Sequence, residues 1–383
     1  MDVYERERMA SVRPPGWTNP KPAERYHLVI VGGGPAGVTA ATTAAALGAK
    51  VALIERDLLG GDCFNVGCVP SKAIIRTSRV YAEMREAARY GAHAPPDVRV
   101  DFAAVMDRMR RLRARICRGD SADKLTAAGV DVFFGQAEFA GADTLTVAGA
   151  TLRYGKALIA TGSRPEVASI PGLADVGYLT NETIFDLTVL PKRLLVIGGG
   201  PLGCELAQAF GQLGAKTIIV QKLPLFLPKE ERDAAQILSD AFARDGLEVR
   251  LNTTVRRVRA ERGEIVVDLI SDDYESTVTV DAILTGIGRL PNVDGMNLEA
   301  AGVDHDAMDG IRVDDFLRTT NRRIYAAGDV CLEHRHTHTA EETARMAVHN
   351  ALFLGRRRLS QLTVPWCTFT DPEIAHVGMS VRE

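Results

Sequence analysis

Two stretches of the chain carry the same pattern of apolar and polar positions. Tyr26 to Arg56 reads YHLVIVGGGPAGVTAATTAAALGAKVALIER, and Lys192 to Lys222 reads KRLLVIGGGPLGCELAQAFGQLGAKTIIVQK. They align without a gap. Each opens on a short β-branched run, turns through glycines, continues as an Ala-rich helical pattern, breaks at Leu-Gly-Ala and closes on a second apolar run. Unbroken apolar runs predict strands covered on both faces, and the stretch between them predicts one helix. Each copy is therefore a βαβ unit with parallel strands. An α/β fold with two such domains is expected.

The glycines make the two units chemically specific. Gly32, Gly34 and Gly37 form G-x-G-x-x-G in the first copy, as do Gly198, Gly200 and Gly203 in the second. The first glycine permits the tight turn, the second lets the backbone approach a pyrophosphate, and the third lets helix and strand pack closely. The helix N-terminus then offers unpaired N–H groups to phosphates. The ends of the second strands differ. Glu55 is placed to bind both hydroxyls of an adenosine ribose, which suits FAD. The matching position in the second copy is Gln221, followed by Lys222. Lack of an acid there, with a cation adjacent, leans toward NADP, with NAD left open because an amide also bonds a ribose hydroxyl.

Composition narrows the setting. At 383 residues the chain can bury more than one core. Its 46% hydrophobic and 25% charged residues are ordinary for a water-soluble protein, and a net charge of −3 gives no reason to expect nucleic acid as a partner. The longest apolar runs are broken by glycine and charge well short of a membrane span. Residues 1–25 are charged, carry Pro14, Pro15, Pro20 and Pro22, and lack the apolar core of a signal peptide. They read as a flexible arm. Six cysteines are too few for a disulfide scaffold of this size, and a cytoplasmic protein with one special pair fits better.

That pair lies in Gly60 to Lys72, GGDCFNVGCVPSK. Cys63 and Cys68 follow a glycine pair and precede a helical stretch starting near Pro70. On a regular helix they would lie too far apart for a disulfide, but Asn65 and Gly67 allow local distortion. A helix N-terminus nearby would favour a thiolate. Two buried cysteines or half of a metal site are the alternatives, although this is not common zinc spacing and no second ligand pair follows.

GGDCFNVGCVPSK resembles the active-site signature of the class I pyridine nucleotide–disulfide oxidoreductases, a family that includes mercuric reductase, dihydrolipoamide dehydrogenase and glutathione reductase. Further segments match in order: Ala160-Thr161-Gly162, Gly288-Arg289-Leu290-Pro291-Asn292, Ala327-Gly328-Asp329 and Thr370-Asp371-Pro372-Glu373-Ile374-Ala375. The resemblance runs from about Tyr26 to the end. It implies two Rossmann-like, glutathione-reductase-like domains: an FAD domain over 26–163 and 291–360, interrupted by an NAD(P) domain over 164–290. The start of a truncated α+β dimerisation domain would occupy 361–383. By matching positions, Pro35, Ala36, Arg56, Gly61, Asp62 and Asp329 join the FAD site. Cys68 would be the thiolate beside the flavin and Cys63 the thiol that meets substrate. Lys72 and Glu205 would pair near the flavin, and the helix beginning near Thr339 would point its N-terminus at it.

The implied activity passes electrons from NAD(P)H through FAD to Cys63–Cys68, then to a thiol, disulfide or metal-ion substrate. A mercuric reductase-like role is the expectation, with dihydrolipoamide dehydrogenase and a non-turnover flavin redox sensor as alternatives. The resemblance also implies a homodimer, with a His-Glu pair that would lie beyond Glu383. No resident metal is expected. His334, His336 and His338 read as a polar loop before a helix. Arg108, Arg110, Arg111, Arg113 and Arg115 read as a solvated face, and Arg356 to Arg358 as the end of a helix. Cys117, Cys204, Cys331 and Cys367 read as buried, inert thiols and Met106 and Met109 as core.

Overall fold

A computed structural model describes residues 2–381 apart from 96, 273 and 354. The chain divides into two compact units, Met1–Asn65 with Arg113–Arg164 and Arg289–Val364, and Val66–Leu112 with Pro165–Gly288 and Pro365–Glu383. Each contains one of the repeated βαβ patterns.

The first unit is built on α1 (Val3–Val12), β1 (Tyr26–Val31), α2 (Pro35–Ala46), β2 (Val51–Glu55), α3 (Gly61–Asn65) and four further strands, β3 (Val130–Phe134), β4 (Ala137–Gly141), β5 (Thr144–Val147) and β6 (Ala150–Ile159). The sheet order is β3-β2-β1-β6-β5-β4, and the strand Ile324–Ala326 also pairs with β6. β1, β2 and β3 run parallel, while β4, β5 and β6 form an antiparallel meander. Alternation along β1 divides its side chains between two cores. Leu28 and Ile30 join α2 and the helix Thr337–Leu352 through Ala40, Ala41, Ala44, Ala344 and Ala347. Val29 and Val31 join Phe133, Phe139 and Tyr154 on the other face. Both faces are covered, so the strand is apolar at nearly every position.

The second unit holds α4 (Cys68–Glu86), most of α5 (Phe102–Cys117), β7 (Arg193–Ile197), α6 (Pro201–Gln212), β8 (Lys216–Val220), β9 (Glu248–Arg250) and β10 (Ala282–Thr285). Its parallel sheet has the order β9-β8-β7-β10. Leu194 and Val196 face a core shared with Met106, Met109 and Phe210. Leu195 and Ile197 face Val258 and Leu269 of an antiparallel three-stranded sheet. Trp366–Thr368 pairs with Ile374–His376 as a hairpin belonging to this unit.

Three sequence expectations are corrected. Residues 1–25 are not a free arm. Val3–Val12 is helical, capped by the Asp2 carboxylate on the Glu5 N–H at 2.7 Å, and Val12 is 1% exposed. Beyond it, the Asn19 amide exchanges two hydrogen bonds with the Phe134 backbone, at 2.8 and 2.9 Å. Trp17 Nε1 donates to the Val132 carbonyl at 3.3 Å. β3 is the outer strand of its sheet, so this polar segment satisfies an edge that would otherwise be open. Prolines break helices but suit an extended covering strap, and periodicity does not reveal such a strap. Second, the arginines of α5 are not all solvated, because Arg113 is buried. Third, Arg356 to Arg358 do not close a helix, since Thr337–Leu352 ends before them.

Asn19→Ala removes both bonds to Phe134. It should destabilise the protein by about 1–2 kcal/mol, seen as a fall of a few degrees in thermal unfolding. An unchanged midpoint would mean that the strap contributes nothing to the sheet edge.

Candidate functional site

In the first unit the glycine turn is set by backbone crowding. Gly32 has φ of +106°, and a Cβ there would sit 2.3 Å from the Ala160 carbonyl oxygen. A Cβ on Gly37 would fall 1.8 Å from the Gly32 carbonyl oxygen. No side chain fits at either place, and α2 starts directly from the turn. Its N-cap, Gly34, makes no side-chain capping bond, and Pro35 occupies the first turn ahead of the buried Ala36 and Gly37. Free N–H groups at that end can hold a phosphate.

Glu55 closes the turn from the end of β2. Its Oε2 accepts from the Gly33 N–H and its Oε1 from the Asp57 N–H, both at 2.7 Å. The carboxyl is buried, and that burial raises its pKa above the ordinary 4.5 despite the two N–H donors. A cleft in front of it is lined by Gly32, Glu55, the exposed Arg56, Gly135, Gln136 and Thr161.

The segment carrying Cys63 leans on this turn. Gly60 N–H donates to the Gly33 carbonyl at 2.8 Å. Gly61 has φ of +53°, and a Cβ there would lie 2.9 Å from the Gly34 Cα. Asp62 forms an ion pair with Arg289. Arg289 also donates to the Ser163 hydroxyl at 2.7 Å, and that hydroxyl donates to Asp329 Oδ2 at 2.7 Å. Asp329 is raised by desolvation, which outweighs the Ser163 bond and the nearby Arg289 and Arg335. Gly328 N–H meets the buried Thr343 hydroxyl at 3.3 Å. Ala160, Thr161 and Gly162 complete this wall, since Thr161 and Asn292 exchange bonds of 2.7 and 2.9 Å and Asn292 N–H donates to Gly162. Cys63 lies half-buried on α3.

The second unit repeats the turn. A Cβ on Gly198 would lie 2.4 Å from the Gly286 carbonyl oxygen, and one on Gly203 would lie 2.0 Å from that of Gly198, while Gly200 opens on free space. Gln221 occupies the role of Glu55. Its amide oxygen accepts from the Gly199 N–H at 3.3 Å and its amide nitrogen donates to the Leu225 carbonyl at 3.1 Å. Lys222 beside it is exposed. Gly288 lies over Glu166, whose N–H donates to its carbonyl at 3.0 Å.

Cys68 is the exposed first residue of α4, whose N-cap, Gly67, offers no side-chain bond. One turn on, Lys72 Nζ bonds Glu205 Oε2 at 2.7 Å. Glu205 is 4% exposed, and its other oxygen accepts from the Phe369 N–H at 2.8 Å. Lys72 also sits 4.7 Å from the centre of the Phe369 ring. These contacts satisfy the buried carboxylate on both oxygens.

Sequence reasoning missed Ser163, Arg335 and Phe369. Arg335 bonds the Arg289 carbonyl and lies inside the His-rich loop that was read as merely polar. Ser163 directly follows a recognised motif, so proximity was its only signal, while Asn292 ends a recognised segment that named no role for it. Among the described residues no three His, Cys, Asp or Glu side chains converge as metal ligands, and no helix is long and apolar enough to cross a membrane. The His336 and His338 rings stack at 5.4 Å. Cys117 and Cys204 are buried, and burial pushes the Cys117 thiol up to about 11. Cys331 and Cys367 are only half-buried by surface exposure.

Residues 26–351 match the family model described as pyridine nucleotide-disulphide oxidoreductase. The chain is 31% identical to a mercuric reductase of Staphylococcus aureus over 94% of its own length and 65% of that protein's. To the mercuric reductase of Lysinibacillus sphaericus it is 34% identical, covering 94% and 66%. To the dihydrolipoyl dehydrogenase of Bacillus subtilis (strain 168) it is 31% identical, covering 93% and 78%. The chain thus spans just under two thirds of the length of these mercuric reductases. Among solved structures, the Cu(II) complex of the HOCl-induced flavoprotein disulfide reductase RclA from Escherichia coli aligns with a TM-score of 0.82 at 30% identity, covering 93% of this chain and 78% of that one. The chain belongs to the pyridine nucleotide-disulphide oxidoreductase family.

Glu55 gives a pH test of the cradle. An acid whose pKa is raised by folding holds its proton more tightly in the fold. Its contribution is fully present below the unfolded value and is lost as pH rises through the folded one. Urea unfolding of the ligand-free protein from pH 4 upward should show this loss, and Glu55→Gln should flatten it. An identical slope in the variant would mean that Glu55 ionises normally.

Proposed function

We propose that the chain is the electron-transfer part of an FAD-dependent NAD(P)H:disulfide oxidoreductase, with Cys63 and Cys68 as the redox pair. The observation that carries this reading is the pairing of two sealed glycine cradles with a cysteine segment packed against the first. The first cradle fits FAD. Its turn is closed by backbone at Gly32 and Gly37, a Cβ on Gly34 would meet nothing nearer than the Gly61 Cα at 3.8 Å, and a buried carboxylate faces the adjoining cleft. Gly32, Gly34, Ala36 and Gly37 would hold the pyrophosphate, Glu55 and Arg56 the adenosine side, and Gly61, Asp62, Thr161 and Asp329 the remainder. Gly198, Gly200, Gly203, Gln221 and Lys222 would hold the nicotinamide dinucleotide.

Bound FAD supplies the two-electron chemistry that amino-acid side chains lack. In the net reaction a hydride from NAD(P)H and a proton from solvent convert the Cys63–Cys68 disulfide into two thiols. Cys68, at the uncapped start of α4, is favoured as a thiolate by the helix N-terminus. Cys63 is the thiol that exchanges with substrate. Glu205 holds the Lys72 ammonium in place. The helix Thr337–Leu352 would present its positive end to the cofactor's electron-rich edge.

The substrate favoured is a metal ion handled as in the mercuric reductases, with a small disulfide of the dihydrolipoyl type as the second reading. Gln221 supports the first reading through the nicotinamide it would favour. An amide where the first cradle has a carboxylate removes the charge that would repel a 2′-phosphate, which favours NADPH. A cytoplasmic homodimer belongs to the same reading.

Anaerobic titration with NADPH and, separately, NADH tests it, with the visible spectrum recorded for wild type and Cys68→Ser. Wild type should develop a long-wavelength band from a thiolate against oxidised flavin, at lower NADPH than NADH, and the variant should not. Bleaching without that band would mean that the pair is not coupled to the flavin, leaving a flavin redox sensor. Sharper reduction by NADH would favour the dihydrolipoyl dehydrogenase reading.

A further inference from the structure

The N-terminal helix grips the segment between the glycine cradle and Cys68. Its far end meets the start of that segment: Val12 carbonyl accepts from the Leu59 N–H at 3.0 Å, and Arg13 donates to the Arg56 and Asp57 carbonyls at 3.1 Å. Its first turns meet the end, at Asn65. Arg8 donates to Asn65 Oδ1, and Arg113 donates to the Asn65 carbonyl at 3.0 Å. Asn65 spends its own amide protons on the Leu59 and Gly61 carbonyls, at 3.0 and 2.9 Å. Asn65, Arg8 and Arg113 are all buried, at 3%, 8% and 4% exposure.

Two guanidinium groups so close need an anion. Glu5 supplies it, pairing with Arg8 and reaching Arg113 at 3.2 Å. Burial pushes the Glu5 carboxyl up, but the Arg8 bond and the two cations outweigh it and hold it below its ordinary value. An Arg–Glu–Arg set with both arginines buried and the glutamate half-buried is a poor source of net stability, yet its fork geometry fixes what it holds. What it holds is the residue midway between the two cysteines.

We propose that Arg8, braced by Glu5, is a positioning residue that pre-shapes the Cys63–Cys68 loop for disulfide closure. The proposal rests on reading the two cysteines as a redox pair. With Asn65 held from both its side chain and its carbonyl, part of the ordering needed to bring the sulfurs together is already in place.

The test uses the full chain in glutathione buffers of graded poise. Oxidised glutathione takes two electrons from the dithiol, giving one protein disulfide and two reduced glutathiones. After acid quenching and alkylation, the tryptic peptide 57–72 reports both cysteines at once by mass spectrometry. Arg8→Ala should lower the equilibrium constant for closure about tenfold, the scale of one charged hydrogen bond. Asn65→Ala should do likewise, the double variant should fall no further than either single one, and Arg8→Lys should recover part of the loss. Val12→Ala, which loosens the same helix away from Asn65, should lower the thermal midpoint and leave closure unchanged. Wild-type closure in Arg8→Ala, or an equal loss in Val12→Ala, overturns the proposal while leaving the redox pair intact. Failure of wild type to close at any poise defeats the redox reading itself.

Discussion

The approach of one backbone carbonyl to a glycine Cα governs both halves of this chain. At Gly37 and at Gly203 there is no space for even a methyl group, because the carbonyl of the first turn glycine already fills it. That contact draws each helix against the end of its strand. Once it is made, the helix N-terminus opens at the ends of the strands, and the tip of the next strand comes within reach of the N–H just after the first glycine, that of Gly33 or Gly199. Glu55 and Gln221 take that N–H in the same way. An alanine at either glycine would move the helix and dissolve both consequences together.

In the first unit, charge does what packing cannot. The chain there comes from three separated stretches, and loops from each must meet at one wall. Asp62, Arg289, Ser163 and Asp329 form a continuous polar relay across three of those loops. Such a relay is directional, so it fixes loop positions that a hydrophobic contact would leave free to slide. In the second unit Glu205 joins Lys72 and the Phe369 backbone by the same logic, binding α4, α6 and the turn of the final hairpin.

The periodic part of this architecture was legible in the sequence. Apolar runs of five or six residues, glycine spacing and an Ala-rich stretch define the two βαβ units because parallel strands must be apolar on both sides. Glu55, Gln221 and the cysteine segment follow by position from those units. The N-terminal helix was not legible. Its sequence, VYERERMASV, is dominated by charge, and its contacts are made by Arg8 and Glu5 instead of an apolar stripe. A buried arginine looks the same as an exposed one until its partner is placed. Arg113 was lost among its helix neighbours for the same reason, and Asn19 because a side-chain amide bonded to a strand edge has no period.

The two cradles are most informative where they differ. Their turns are built alike, so shape cannot distinguish the dinucleotides they would take. Charge at the strand tip can. Glu55 is a carboxyl kept from water, and its raised pKa records that burial outweighs the one N–H bond on each of its oxygens. A ribose with two free hydroxyls is suited to add to those bonds. Gln221 is engaged at both ends as well, but its amide carries no charge for burial to penalise. With the exposed Lys222 beside it, a phosphate on the ribose meets a cation and no anion. One repeated unit would thus serve two different ligands through a single exchange of carboxylate for amide.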